Sequence, residues 1–322
     1  MIKWLTGIAA VVALAWSGWW VIGSRALDRA LKEGIEAARA QGWRIDYDDL
    51  SVAGFPNRFD TTMTAPHVTT PGGAVDLTAP FVQVFALAYR PNHVIAVAPR
   101  EMALEVPGEV IEITDADLRG SLVTTGAADP VLDRSTVTAE GLRIAVADLW
   151  AEIGTGRFAT RTVGDATRHE IGLSLSDIAL SPAARAALDP EERLPQRLDG
   201  IEVDVVVALT DAVGAGRDPR PTALDVQRLE IVWGETRAAL TGALDVGPGG
   251  LPEGDLVLAL EGWAPLLEAA AAGGLIPAGQ ARLLAAGIGG LADGAGVANV
   301  PVTVAEGRIG VMGLPLGSLP AF

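Results

Sequence analysis

The feature that most constrains this chain is an uncharged apolar run near its start. Residues 4–22 read WLTGIAAVVALAWSGWWVI and contain no charged side chain. A helix of this length measures about 28 Å, close to the ~30 Å hydrocarbon core of a bilayer. Trp4 lies at one end, and Trp16, Trp19 and Trp20 lie near the other, as in the aromatic belts at membrane interfaces. The run predicts a transmembrane anchor over residues 1–23, with these four tryptophans as its interfacial belt.

A cleaved signal peptide is the alternative for this segment. Residues 13–15 form an Ala-x-Ala pattern, but cleavage there would cut the apolar run in the middle and leave WSGWW at the new terminus. We therefore expect an uncleaved, single-pass anchor. Lys3 precedes the run and Arg25, Arg29 and Lys32 follow it, so local charge does not decide the orientation. A short head and a long acidic body favour export of the body, because long domains cross largely regardless of charge.

Residues 24–42 predict a juxtamembrane helix. Leu27, Leu31 and Ile35 share one face, and Gly42 supplies a stop signal. This helix either binds the membrane surface or a partner, or caps an edge of the sheet that follows.

Residues 43–322 predict a strand-rich region. Apolar residues alternate strictly from Ile201 to Leu209, which indicates a half-buried strand. The apolar parity flips near Asp177 and again near Arg228, and each flip predicts a bulge or short turn. Three helices are expected, at 182–188, 263–272 and 278–291. The predicted fold class is mainly β (α+β): a transmembrane helix, then a long, curved antiparallel sheet with a few helices covering its edges or one face. A lobe boundary is placed near 189–200.

Composition excludes several function classes. The chain has no cysteine, so disulfides, thiolate nucleophiles and cysteine-ligated metals are absent. Its net charge is −16, which is opposite in sign to a surface that binds nucleic acid. The same charge argues against broad binding to anionic headgroups.

Two short runs are the most distinctive motifs in the body. The first predicts a tight turn between strands, where Arg58 and Asp60 can pair, and it is either a binding loop or a structural corner. The second predicts a loop whose polar groups cap a strand end. The first run consists of Gly54, Phe55, Pro56, Asn57, Arg58, Phe59 and Asp60, and the second of Arg90, Pro91, Asn92 and His93.

No catalytic, metal or cofactor site is predicted. The three histidines, His67, His93 and His169, do not have the spacing of metal ligands, and we expect each on the surface or in a loop. No serine stands in a recognisable relation to the Asn92–His93 pair. A glycine-rich run at 287–294 has alanine at position 292, where the dinucleotide motif has its last glycine, and it falls within or after a helix. We therefore expect a protein that is not an enzyme.

The anchor and the two runs together carry a family resemblance. The stretches SVAGFPNRFD at 51–60 and YRPNHVIAV at 89–97 resemble the alphaproteobacterial domain-of-unknown-function family 2125. Residues 221–224 and 307–317 are similar too, so the resemblance covers essentially the whole chain. It implies a bacterial membrane-anchored protein, and it transfers no functional residue because the family has no assigned activity. In architecture alone, the chain also resembles AsmA-like envelope proteins, whose curved sheets hold acyl chains.

These observations predict a non-enzymatic envelope protein in the bacterial inner membrane, with its C-terminal region in the periplasm. The N-terminal helix is expected to contact the lipid bilayer. The apolar face of the sheet is expected to bind or shelter lipid, in a role in envelope or lipid homeostasis. The alternative is a scaffold or assembly factor that binds another envelope protein through a sheet edge or the juxtamembrane helix. A hydrolase is the least favoured hypothesis.

Overall fold

The computed structural model describes residues 2–114, 117–126 and 129–322. It is about 53% strand and 22% helix, with one long N-terminal apolar helix and a large antiparallel sheet that is not closed. The predicted fold class is confirmed. The chain divides into two compact units, Met1–Val123 and Thr124–Phe322. Residues 189–200, where a lobe boundary is predicted, lie inside the second unit.

Helix α1 runs without interruption from Ile2 to Ala40. The predicted anchor and juxtamembrane helix are therefore one element. Of the described residues, only the helix over Thr6–Ala40 is long and apolar enough to cross a membrane. Residues 6–15 are exposed, whereas every third or fourth side chain from Trp16 onward is at least partly buried. This second part of α1 packs beside the edge strands β1 (Arg44–Asp46) and β2 (Asp49–Ala53).

The first unit contains eight further strands, which extend two antiparallel ladders. One ladder has the order β1-β4-β5-β8-β9 and the other β2-β3-β6-β7-β10. The strands are β3 (Arg58–Thr64), β4 (His67–Thr69), β5 (Asp76–Thr78), β6 (Phe81–Leu87), β7 (Arg90–Val97), β8 (Glu101–Val106), β9 (Glu109–Thr114) and β10 (Asp117–Thr125).

Successive hairpins alternate between the two ladders, and three of the bends that join them carry an Ala-Pro pair. The pairs begin at Ala65, Ala79 and Ala98. Proline has no backbone N–H to continue a ladder, so it is suited to a point where the pairing breaks. The alanine amides keep neighbouring bends together, because Ala65 N donates to Pro80 O at 2.8 Å and Ala79 N to Pro66 O at 3.2 Å.

In the second unit, ten strands pair in chain order, each antiparallel to the next. Three helices interrupt this meander: α2 (Pro182–Leu188) before β14, and α3 (Ala264–Ala272) with α4 (Ala278–Leu291) before β18. The strands are β11 (Val131–Val146), β12 (Leu149–Val163), β13 (Asp165–Leu180), β14 (Arg197–Leu209), β15 (Pro221–Trp233), β16 (Thr236–Val246), β17 (Pro252–Glu261), β18 (Ala298–Ala305), β19 (Arg308–Val311) and β20 (Leu314–Ser318).

The core of the second unit lies where α4 covers β15 to β19. Leu284 and Ile288 of α4 pack on Leu256, Val300 and Val302 of the sheet. A smaller cluster joins Ala269 of α3 to Trp233 and to Leu194 in the α2–β14 connection.

Two local features predicted from the sequence are confirmed in this unit. Ser181 caps α2, and its hydroxyl accepts from the Ala184 N–H at 3.1 Å. Asp177 has a positive φ of 55°, but the β12–β13 pairing has the same register on both sides of it, so no register shift accompanies the first parity flip. The second parity flip is a register shift between Val226 and Leu229 of β15.

Candidate functional site

The first predicted run, residues 54–60, forms the turn between β2 and β3 and contacts helix α1. The indole N–H of Trp16 donates to Pro56 O at 2.8 Å, and that of Trp20 donates to Arg58 O at 2.7 Å. Since Trp16 and Trp20 are four residues apart, they lie on one face of the helix. Each anchors a different carbonyl of the turn.

Aromatic packing completes this contact. The Trp20 ring meets Phe55 edge to face with centroids 5.4 Å apart, and it lies 6.2 Å from Phe59. Phe59 is buried, and Gly23 leaves room for it, because a Cβ at position 23 would lie 2.8 Å from Phe59 Cζ. We call Trp16, Trp20, Gly23, Phe55 and Phe59 the helix–loop contact.

The backbone of the turn depends on a glycine. Gly54 has φ of 98°, and a Cβ there would lie 2.8 Å from both Arg58 O and Asp60 Cγ. The Arg58 amide donates to Gly54 O at 2.9 Å, and its guanidinium pairs with Asp60 at 2.7 Å, as the sequence predicts. The Phe55–Pro56 peptide is cis.

The four belt tryptophans lie in two different environments. Trp4 and Trp19 are exposed, while Trp16 and Trp20 donate to the turn. The helix–loop contact therefore uses half of the predicted belt to attach the anchor to the folded body.

The second predicted run lies beside the first, although it is a strand and not the loop that the sequence suggested. Residues 90–93 begin β7, and the turn is at Ala88 and Tyr89. The Ala88 amide donates to Asn57 O at 2.9 Å, so this turn is bonded to the 54–60 turn. The reason for the difference is that the polar residues pair in the ladder, where His93 lies opposite Val123 of β10.

His93 also forms a pair that the sequence did not reveal. Its Nε2 lies 3.0 Å from Ser121 Oγ across β7 and β10, in a half-buried position. A serine–histidine pair with catalytic function needs a third group that orients the imidazole. In the part of the chain that the structure describes, no carboxylate bonds to the His93 ring. The pair bridges β7 and β10.

A second region of interest is the apolar face of the sheet in the second unit. Cross-strand register places apolar side chains in rows that run from β11 to β18, because directly paired residues share a face. One row joins Val137, Phe158, Leu173, Val203, Leu229, Leu240, Leu258 and Val300.

This face is covered unevenly. Over β15 to β18 it is buried beneath α3 and α4. Over β11 and β12, in the same row, Val137 is 38% exposed and Phe158 is 37% exposed. We call the part on β11 to β14 the open apolar face. It consists of Val137, Phe158, Ile171, Leu173, Leu175, Ile201 and Val203.

One end of the open apolar face is bounded by residues 210–220, here called the strap. The strap leaves β14 and bonds to the start of β11, where Leu132 N donates to Val213 O at 2.8 Å. Arg217 fixes it by pairing with Asp211 at 2.6 Å and with Asp129. The Ala212 N–H and the Arg217 guanidinium hold the pKa of the Asp211 carboxyl below its ordinary value.

His169 lies on β13 near the strap, and its position corrects a sequence-based expectation. It was expected on the surface or in a loop, but it is only 2% exposed. It pairs across the sheet with Thr162 and Val207, on the apolar face. Within the described residues, neither ring nitrogen has a hydrogen-bond partner.

The opposite end of the face is bounded by α2 and the connection after it. The buried Asp189 carboxylate accepts from the amides of Arg193 at 2.9 Å and Leu194 at 2.8 Å. Pro195 O accepts from Arg185 at 2.6 Å and from the Trp233 indole at 2.8 Å. The open apolar face thus has a built boundary at both ends.

The back of the same strands is polar. Arg161 pairs with Glu170 at 2.5 Å, and the Ser174 hydroxyl donates to Glu202 at 2.7 Å. Thr138, next to Val137 but on the back face, lies opposite Arg157. The sheet over β11 to β14 therefore has one solvated surface and one apolar surface.

No metal site was predicted, and among the described residues no three His, Cys, Asp or Glu side chains group together to hold an ion. His67 instead lies 2.6 Å from Asp76 across β4 and β5. This contact, followed by the Thr69 hydroxyl, keeps the pKa of Asp76 below its ordinary value of 3.8.

These features define a class: among the described residues, one N-terminal helix has membrane-spanning length, and the body is built on an open antiparallel sheet. The chain belongs to the family described as uncharacterized protein conserved in bacteria (DUF2125), whose profile matches residues 20–320. The resemblance seen in the two sequence runs is confirmed. No curated protein and no solved structure matches the chain.

Proposed function

We propose that this protein is a non-enzymatic envelope protein, held in the bacterial inner membrane by α1, that shelters lipid acyl chains on its open apolar face. The observation that carries the proposal is the uneven cover of one continuous face. The sheet buries its apolar side chains under α3 and α4 over β15 to β18, and leaves Val137 and Phe158 more than one third exposed over β11 and β12.

The dimensions of the face suit an acyl chain. Strands lie about 4.8 Å apart, so the four strands β11 to β14 span about 14 Å between their outer axes. Half of a ~30 Å hydrocarbon core is about 15 Å, which is the depth of one acyl layer. One chain lying along a row would therefore contact all four strands.

The energetics favour such an occupant. Full burial of a valine or phenylalanine side chain stabilises by about 1.5–3 kcal/mol. Val137 and Phe158 retain somewhat over a third of their exposure, so covering them would contribute about 0.5–1 kcal/mol each. Because the occupant contacts a row of such side chains and needs no polar partner there, hydrocarbon fits better than a polar ligand.

The anchor gives this face access to lipid. A membrane-spanning α1 keeps the body next to the bilayer at all times. The polar back face and the net charge of −16 of the whole chain keep the body in solution. Export to the periplasm agrees with the long acidic region after the anchor, because long domains cross largely regardless of charge.

The test is native mass spectrometry of the full chain, extracted from a bacterial inner membrane in mild detergent. Val137→Asp places a charge on the open apolar face. Thr138→Asp adds the same charge one residue away, on the back face opposite Arg157. Both positions are exposed, so neither change requires repacking of the core.

We expect phospholipid bound at fixed stoichiometry to the unchanged chain and to Thr138→Asp, and loss of one such lipid from Val137→Asp. Lipid held around α1 is common to all three proteins and cancels in the comparison. Equal lipid content in the two variants would contradict the proposal. Binding of another envelope protein to this face, lost in Val137→Asp alone, would support the scaffold hypothesis instead.

A further inference from the structure

We infer that the two turns beside α1, at residues 54–57 and 88–89, form a second membrane-contacting surface that rests in the interfacial layer of the bilayer. We call them the membrane-proximal turns. This inference rests on the proposed membrane anchor and adds a second point of contact, made by the folded body itself.

The helix–loop contact lies near the end of the membrane-spanning run of α1. Residues 4–15 alone would span about 18 Å, too short for a ~30 Å hydrocarbon core. The span must therefore include residues that contact the turn. Trp16 and Trp20 bond to Pro56 O and Arg58 O, and they lie about 9 Å and 3 Å before the end of the 4–22 run. The turn accordingly lies at the level where α1 leaves the hydrocarbon.

The membrane-proximal turns expose aromatic side chains at their tips. Phe55 is 55% exposed and Tyr89 is 66% exposed, at the tips of two turns that are bonded to one another through Ala88 N and Asn57 O. Exposed aromatic rings are the side chains that membrane interfaces favour. Trp19 of α1, 58% exposed, is at the same level.

Each membrane-proximal turn is followed by an exposed arginine. Arg58 and Arg90 follow the two aromatic tips, and both side chains are largely exposed. A guanidinium at this depth can bind phosphate and carbonyl oxygens of lipid headgroups. The acidic body argues against broad electrostatic adsorption, so contact is confined to these turns.

The end of α1 away from the helix–loop contact provides a control region that lies far from the bilayer. Helix α1 continues from the helix–loop contact to Ala40, and Gly42 approaches Pro71 at the opposite end of the same unit. The 24 residue steps from Trp16 to Ala40, the last residue of α1, correspond to about 36 Å of helix. Residues 71–74 therefore lie far from the bilayer, and Ala74, which is exposed, provides a control position.

The test uses the absence of cysteine in the chain. Single-cysteine variants Phe55→Cys, Tyr89→Cys, Ala74→Cys and Val11→Cys of the full chain are labelled with a small fluorophore and reconstituted into phosphatidylethanolamine and phosphatidylglycerol vesicles. Some vesicles carry spin-labelled lipid with the quencher at the headgroup, and others carry it in the middle of the acyl chain.

We expect labels at 55 and 89 to lose fluorescence mainly to the headgroup quencher, the label at 11 mainly to the mid-chain quencher, and the label at 74 to neither. Since Tyr89 has no aromatic contact with α1, Tyr89→Cys keeps the test valid if Phe55→Cys loosens the turn. Quenching at 11 without quenching at 55 and 89 would overturn this inference and leave the anchor standing. No quenching at 11 would overturn the anchor and the inference together.

Discussion

Trp20 provides the most direct test of how α1 is attached to the folded body. Its indole donates to Arg58 O at 2.7 Å and packs on Phe55 and Phe59. Trp20→Phe removes the hydrogen bond and keeps an aromatic ring, at a cost of about 1 kcal/mol. Trp20→Ala also removes two aromatic pairs worth about 1 kcal/mol each, for a total of about 3 kcal/mol.

These energies translate into opening of the 54–57 turn. Every 1.4 kcal/mol is a factor of ten in an equilibrium constant, so local opening should increase about fivefold in Trp20→Phe and about 100-fold in Trp20→Ala. The amide of Arg58, bonded to Gly54 O, and that of Ala88, bonded to Asn57 O, report this opening. Hydrogen–deuterium exchange with mass spectrometry of the full chain in detergent measures both.

Trp19 is the matched control. It neighbours Trp20, yet it is exposed, so Trp19→Ala should leave exchange at both amides within about twofold of the unchanged chain. Equal acceleration in Trp19→Ala and Trp20→Ala would refute the helix–loop contact. An ordered series from Phe to Ala at position 20, with no effect at 19, would establish it.

Three further predictions follow from the same structure. Gly23→Ala should destabilise the first unit by about 1–2 kcal/mol in urea unfolding, because the new Cβ meets Phe59. The control Gly34→Ala, which has open space around it, should be neutral or stabilising. Equal effects of the two substitutions would contradict the packing of Gly23 against Phe59. Because the pKa of Asp76 is lowered in the folded state, the stabilisation from its charge should be present above the unfolded pKa of about 3.9 and should be lost as the pH falls through the lowered value. The melting temperatures of the unchanged chain and Asp76→Asn should therefore differ at pH 6, and the difference should shrink as the pH falls below about 3.9. A constant difference would show that the charge is not responsible. Peptide mapping of protein isolated from membranes should recover residues 1–15, whereas their loss would indicate a cleaved signal.

Much of the fold was predictable, because it depends on local patterns. The apolar run 4–22 predicted the first part of α1, and strict alternation predicted β14. The parity flips located the positive-φ residue Asp177 and the register shift before Leu229, where a shift of one residue exchanges the faces of the strand. These signals are contained within about ten residues of sequence.

What the sequence did not reveal depends on partners that are distant along the chain. Trp16 and Trp20 donate hydrogen bonds to carbonyls of a turn that lies 38 to 40 residues later in the chain. Their positions in the apolar run therefore predicted only an interfacial belt. His169 is polar, yet it is buried on the apolar face between Thr162 and Val207, which no local pattern indicates. Val137 and Phe158 were missed because Gly141 and Gly156 dilute the alternation around them.

Not every apolar position of the sheet is suitable for a test by substitution. Val205 and Leu258 are inward-facing in the sequence pattern, but both pack against the buried core beneath α4. A charge at either position would disturb folding. Val137 is preferable, because it is exposed at the uncovered end of the same row.

The central claim is that the open apolar face contacts lipid in the cell, and site-specific photocrosslinking tests it most directly. A benzophenone amino acid is placed at Val137 or at Thr138 in the full chain, and cells with radiolabelled phospholipid are irradiated. The account predicts a phospholipid adduct at position 137 and none at 138, since the two side chains lie on opposite faces of β11. Equal lipid adducts at both positions, or a protein adduct alone at 137, would contradict it.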